Sequence, residues 1–160
     1  MSDLRADPPA PGAPGPAVPT PPGPGPAALQ VSSSQLDEMI AHCLGAYPEE
    51  GCGLVTGDPV TGTVAEVRPT RNLAVSAKLY TVDPGEHLRI ERAAEADGLE
   101  VIGVFHSHTH TDAYPSPTDV AQAPDPSWHY VLVSLRHEVA SVRSYRIVDG
   151  LVAEEPIEVH

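Results

Sequence analysis

His106 and His108 are separated by a single residue. On a strand, residues i and i+2 face the same side, roughly 7 Å apart along it. Two imidazoles so placed can converge on one metal ion. Zinc suits them, since it takes histidine nitrogen at about 2.0–2.1 Å, and its catalytic sites use three protein ligands plus a water. Asp119, reached through a loop containing Pro115 and Pro117, is a candidate third ligand. Ser116 lies three residues before it, hence on the same face of any helix that begins there. A hydrolytic zinc site also needs a carboxylate to move a proton. Glu49 and Glu50 stand at the edge of the run Gly51-Cys52-Gly53-Leu54. Each feature has a plainer reading. Two histidines at a strand end can be surface residues. Ser-Pro-Thr-Asp is a good helix start, with serine as cap and an acid beside the dipole. Paired glutamates are common in solvated turns. A carboxylate can, however, cap a helix and bind metal together. His110 continues the alternation, so His106, His108 and His110 form a rival three-histidine set.

These residues need a rigid frame. Val101-Ile102-Gly103-Val104-Phe105 is the most apolar run and reads as a central strand, with the histidines just past its end. Ser32-Ser33-Ser34 offers a helix cap, and Leu36, Met39, Ile40, Cys43 and Leu44 then share one helical face until Pro48. Gly51–Gly57 reads as a buried strand and Val64–Arg68 as its hairpin partner. Leu79–Val82 reads as a short strand. Asp83-Pro84 opens a helix that Gly98 stops. His129–Leu135 and Ala140–Val148 are further strands, and Asp149-Gly150 turns the chain into a last one, Leu151–Val159. Strands and helices do not alternate regularly, which predicts an α/β (α+β) fold: a mixed sheet with helices against it, not a doubly wound one. His42 and His87 read as surface residues, Phe105 as core, His129 as core edge, and Cys43 and Cys52 as small buried residues.

Composition bounds the function. Of 160 residues 19 are proline, and ten of these fall between Pro8 and Pro26. Residues 1–30 read as a disordered Pro/Gly/Ala-rich tail, and 31–160 as one domain. A net charge of −13 argues against nucleic acid and anionic membranes. Two cysteines make no disulfide framework, and no signal peptide or membrane span is legible, so the expected location is cytoplasmic. Lys78 is the only lysine.

The spacing Glu50, then His106-Ser107-His108, seven residues, Ser116, two residues, Asp119, resembles the JAMM motif of MPN-domain (MPN+) metalloproteases. Pro48-Glu49-Glu50-Gly51-Cys52-Gly53 is similar to that family's Pro-x-Glu-x-Cys-Gly segment, which selects Glu50 over Glu49. The resemblance implies a mostly antiparallel, curved MPN/cytidine-deaminase-like sheet. It implies one Zn2+ per chain, held by His106, His108 and Asp119 with a bound water. It makes Glu50 the general base and then acid, and Ser116 the hydrogen-bond donor to the oxyanion. The chain looks closest to the actinobacterial type that frees cysteine from the C-terminal glycine of a small ubiquitin-like sulfur-carrier protein, completing a cysteine biosynthesis route. An isopeptidase that deconjugates a ubiquitin-like protein and a non-catalytic scaffold module are the alternatives. Tyr114 and His110 are expected near the substrate cleft, and a homodimer is left open.

Overall fold

The computed structural model describes residues 25–160. The expected disorder of residues 1–24 lies outside them. In chain order the elements are β1 (Leu29–Val31), α1 (Ser33–Ala46), β2 (Cys52–Asp58), β3 (Thr63–Thr70), α2 (Pro84–Ala96), β4 (Glu100–His108), α3 (Pro117–Ala121), β5 (His129–Ser134), β6 (Ser141–Val148), β7 (Leu151–Glu155) and β8 (Ile157–Val159). One eight-stranded sheet runs β7-β6-β5-β4-β2-β3-β1-β8. Four of its seven pairings are antiparallel; β4–β5, β1–β3 and β1–β8 are parallel. The expected mixed α+β class is therefore what the chain adopts.

Local chemistry explains most element ends. Ser32 caps α1, its hydroxyl accepting from the Gln35 amide while the Gln35 side chain accepts from the Ser32 amide. Asp83 caps α2 with Pro84 as its first residue. Gly98, at φ 71°, follows α2 in the left-handed region that glycine tolerates.

Each face of the sheet carries a core. Met39 and Cys43 of α1 pack with Val55, Phe105, Val131 and Val133 on one side. Ile90 of α2 packs with Leu54, Val104, Leu132 and Tyr145 on the other. Phe105 and Leu132 are both fully enclosed, each stabilising the fold by roughly 1.5–3 kcal/mol. A bulge decides which residues of β4 face which core. Val55 pairs with Gly103 but Thr56 pairs with Val101, so Ile102 is an extra residue. Ile102 and Phe105 consequently share the α1 side, and Val104 lies on the α2 side. Alternation then carries His106 and His108 to the α2 side as well.

Several expectations are corrected. β4 does not stop at Phe105: it runs through His108, because β2 pairs with it at His106 and β5 pairs with it through His108. Leu79–Val82 forms no strand, only an isolated bridge between Asn72 and Val82. The last strand is split between Glu155 and Ile157 by Pro156, which cannot donate to a ladder. β1 went unread, being three residues long. It starts at Leu29, ahead of the expected domain boundary at residue 31. Leu44 is 57% exposed although it follows the helical period. His42 is not a surface residue. It is half-buried, edge-on to Phe105, with Nε2 3.0 Å from the Cys52 carbonyl. His87 is half-buried too, its ring 5.6 Å from that of Trp128.

Candidate metal centre and active site

His106 and His108 project from the end of β4, held between β2 and β5. Asp119 comes from α3, one turn and a half of helix whose cap does the aiming. The Ser116 hydroxyl accepts from the Asp119 amide at 3.0 Å. Asp119 Oδ2 accepts in turn from the Ser116 amide at 2.8 Å. The helix-start reading of this segment holds, and the same cap turns the Asp119 carboxylate toward the two imidazoles. The same Oδ2 lies 3.1 Å from His106 Nε2 and 3.0 Å from His108 Nε2, and the two nitrogens are 3.3 Å apart. All three residues are buried.

The surroundings fix one proton of this triangle. The Asp112 carbonyl, 3.0 Å from His108 Nδ1, can only accept, so that nitrogen carries a proton. A neutral His108 therefore presents a lone pair from Nε2 to a carboxylate oxygen. His106 Nε2, His108 Nε2 and Asp119 Oδ2 therefore converge closely enough for one cation to be ligated by all three. Tetrahedral zinc with bonds of about 2.05 Å needs ligand atoms about 3.3 Å apart, close to the spacing found. The donor set of two imidazoles and one carboxylate also fits zinc. His110 is exposed and outside the cluster, which is His106, His108 and Asp119.

The charge states follow the geometry. Burial dominates at His106 and holds it below its ordinary pKa, in the neutral form a metal needs. At His108 burial also pulls down, but Asp119 and the Asp112 carbonyl outweigh it and the pKa rises. Asp119 is pushed up by burial and pulled down further by its two histidines, leaving it well below the carboxylate range.

Glu50 lies at the end of the loop before β2, 3% exposed. Its Oε2 is the one buried side-chain oxygen or nitrogen without a hydrogen-bond partner among the described residues. Burial raises its pKa from 4.5 to about 7, with His108 opposing and Asp119 reinforcing. A carboxyl group poised near neutrality can take and return a proton. Glu50, Lys78, His108, Thr109, His110 and Ser116 line one cavity of about 250 Å3. Glu49, the rejected neighbour, is half-buried and not among its lining residues. Tyr114, expected at the cleft, does not line this cavity either; it is 53% exposed with its ring 5.5 Å from Tyr145. Cys52 is buried, and its sulfur lies 3.5 Å from the Thr70 hydroxyl rather than in the cluster.

Sequence reasoning missed the segment between β3 and α2. The Ser76 carbonyl accepts from the Glu50 amide at 2.7 Å, and Asn72 Nδ2 donates to the Glu50 carbonyl at 3.1 Å. Tyr80, from the same segment, stacks on His106 with ring centroids 4.1 Å apart. Burial pushes the Tyr80 hydroxyl well above its ordinary pKa. Only Tyr80's place in the short stretch Leu79–Val82 signals burial, and that stretch reads as a strand in the sequence.

Comparison with known proteins places the chain. The Prok-JAB family, described as prokaryotic homologs of the JAB domain, matches residues 32–148. The CysO-cysteine peptidase of Mycobacterium tuberculosis is 43% identical over 136 residues, which is 82% of this chain and 90% of that protein. The desampylase of Haloferax volcanii is 32% identical over 111 residues, 66% of this chain and 80% of that one. Among solved structures, protein DSY2949 from Desulfitobacterium hafniense superposes with a TM-score of 0.76 at 34% identity, over 82% of this chain and 92% of that one.

Proposed function

The chain belongs to the family of prokaryotic JAB-domain homologs, and from that premise we propose that it is a zinc-dependent peptidase that releases cysteine from the C-terminal glycine of a small sulfur-carrier protein. The coarser statement rests on named relatives: the chain is a peptide-bond hydrolase of the JAMM type, acting on ubiquitin-like carriers. The choice of cysteine follows the CysO-cysteine peptidase, which is the more similar of the two relatives and is matched over more of this chain. No helix among the described residues is long and apolar enough to cross a membrane.

One observation carries the catalytic reading: the Glu50 carboxyl, with its Oε2 partnerless, shares a cavity with His108 and Ser116, beside two imidazoles and a carboxylate that converge as a metal's ligands would. In this reading His106, His108 and Asp119 hold the zinc. Bound there, zinc polarises the scissile carbonyl and acidifies water. Glu50 holds the attacking water, takes its proton, and returns it to the leaving amine. The Ser116 hydroxyl oxygen accepts from the Asp119 amide, which leaves its proton free to meet the developing oxyanion. Ser116 is not a nucleophile, since both nearby imidazoles are committed to the metal.

The test is to incubate the zinc-loaded protein with a sulfur-carrier protein ending in Gly-Cys and, separately, with a ubiquitin-like isopeptide conjugate, and to weigh the products. Loss of one cysteine from an otherwise intact carrier supports the reading. Cleavage of the isopeptide alone replaces it with deconjugation. Cleavage of neither, with zinc bound, would favour a scaffold.

A further inference from the structure

We propose that Lys78 binds the α-carboxylate of the leaving amino acid, making the site selective for a C-terminal residue over an isopeptide branch. This rests on the peptidase reading above. Lys78 is the only lysine in a chain of net charge −13, and it lines the cavity that Glu50, His108 and Ser116 share. Among the described residues it makes no ion pair.

The backbone fixes its place beside the proton carrier. Ser76 ties the two together: its carbonyl accepts from the Glu50 amide at 2.7 Å, and its hydroxyl accepts from the Lys78 amide at 3.0 Å. The neighbouring Ala77 carbonyl is 3.4 Å from the Thr109 hydroxyl, at the end of the ligand-bearing strand.

Glu50 must reach the leaving nitrogen to protonate it. In a C-terminal amino acid the carboxylate is only two bonds from that nitrogen. A cation lining the same cavity as Glu50 is therefore within the leaving residue's span, and an ammonium is the right charge for its carboxylate. An isopeptide nitrogen on a lysine side chain carries no carboxylate there. At about 250 Å3 the cavity is smaller than the range common for drug-sized ligands. That size suits a single residue.

The experiment compares kcat/KM of the zinc-loaded protein on two carrier substrates, one ending in Gly-Cys with a free carboxylate and one ending in Gly-Cys-amide. The wild type is expected to prefer the acid by about 10- to 100-fold, the scale of a charge-assisted hydrogen bond. In Lys78→Met the acid-to-amide ratio should collapse toward one, and Lys78→Arg should restore much of it. Lys78 is exposed, so these variants are expected to fold. Equal cleavage of acid and amide by the wild type, or an undiminished preference in Lys78→Met, overturns the role of Lys78 and leaves the peptidase reading intact. Failure to cleave either adduct, with an isopeptide conjugate cleaved, overturns both.

Discussion

The Gly51 amide donates to the Ser107 hydroxyl oxygen at 2.8 Å, and the Ser107 amide donates to the Gly51 carbonyl at 2.9 Å. Ser107 is fully buried between the two histidines of β4, and Gly51 follows Glu50 directly. This pair of bonds therefore locks the carboxylate's backbone to the strand that carries the imidazoles. Removing the hydroxyl leaves a buried amide without its acceptor, a loss of about 1–3 kcal/mol. Ser107→Ala should keep zinc, since no ligand changes, yet lose about 10-fold or more in kcat as Glu50 drifts from its water. Metal analysis beside steady-state kinetics separates the two effects. Zinc loss in parallel with activity would show that Ser107 supports the ligands instead.

Glu50→Gln should retain zinc and lose hydrolysis by about 100- to 10,000-fold, the usual reach of a general acid–base. Turnover near the wild-type rate would remove Glu50 from the proposed chemistry.

The ligand set makes its own prediction. His108→Ala and Asp119→Ala should each bind zinc far more weakly, because each removes one of three converging atoms. His110→Ala should bind it normally, since His110 is exposed and outside the cluster. Full zinc occupancy of Asp119→Ala together with its loss from His110→Ala would restore the three-histidine rival. Atomic absorption on dialysed protein is sufficient.

Burying Glu50 has a measurable consequence in metal-free protein. Its folded pKa of about 7 lies above the ordinary 4.5, so between these values the folded state binds more protons than the unfolded one. Stability must then fall as pH rises through that window. The drop approaches about 3 kcal/mol once Glu50 is ionised. In Glu50→Gln nothing ionises, so this contribution disappears. Thermal melts of chelated protein should show the variant more stable than wild type at pH 8 and nearly equal to it at pH 4. Parallel curves for the two proteins would contradict the burial cost assigned to Glu50.

Which parts of this site were legible in the sequence follows from how each residue is placed. His106, His108, Ser116 and Asp119 lie on one strand and one capped helix, so their spacing is a local code for their geometry. Phe105 and the helix caps are legible for the same reason. Glu50 was drawn from two glutamates by resemblance to a family segment. Its backbone is held by Ser76 and Asn72, which sequence distance hides. Tyr80 and Lys78 belong to a segment without regular structure, where neither period applies. β1 escaped because three residues carry too little pattern. The extension of β4 through His108 depends on partners in β2 and β5, and no local propensity reports that.

Asn72 is the knot of that segment, and it supplies the last prediction. Its Nδ2 donates to the Glu50 and Leu79 carbonyls at 3.1 and 2.8 Å. Its Oδ1 accepts from the Ala74 and Thr81 amides at 3.0 and 2.9 Å. One side chain thus closes the loop on itself and fastens it to Glu50. Each bond contributes about 1 kcal/mol net, so Asn72→Ala should destabilise the loop by about 2–4 kcal/mol. The sheet core does not use these bonds, so the global melting temperature should move less than the loop does. Hydrogen exchange should report faster amide exchange at Ala74 and Thr81, with β4 and β5 still protected. Activity should fall through kcat, because Glu50 loses one of its backbone anchors while His106, His108 and Asp119 keep theirs. Unchanged exchange at Ala74 and Thr81 would show that the segment is held by Tyr80 packing on His106 instead.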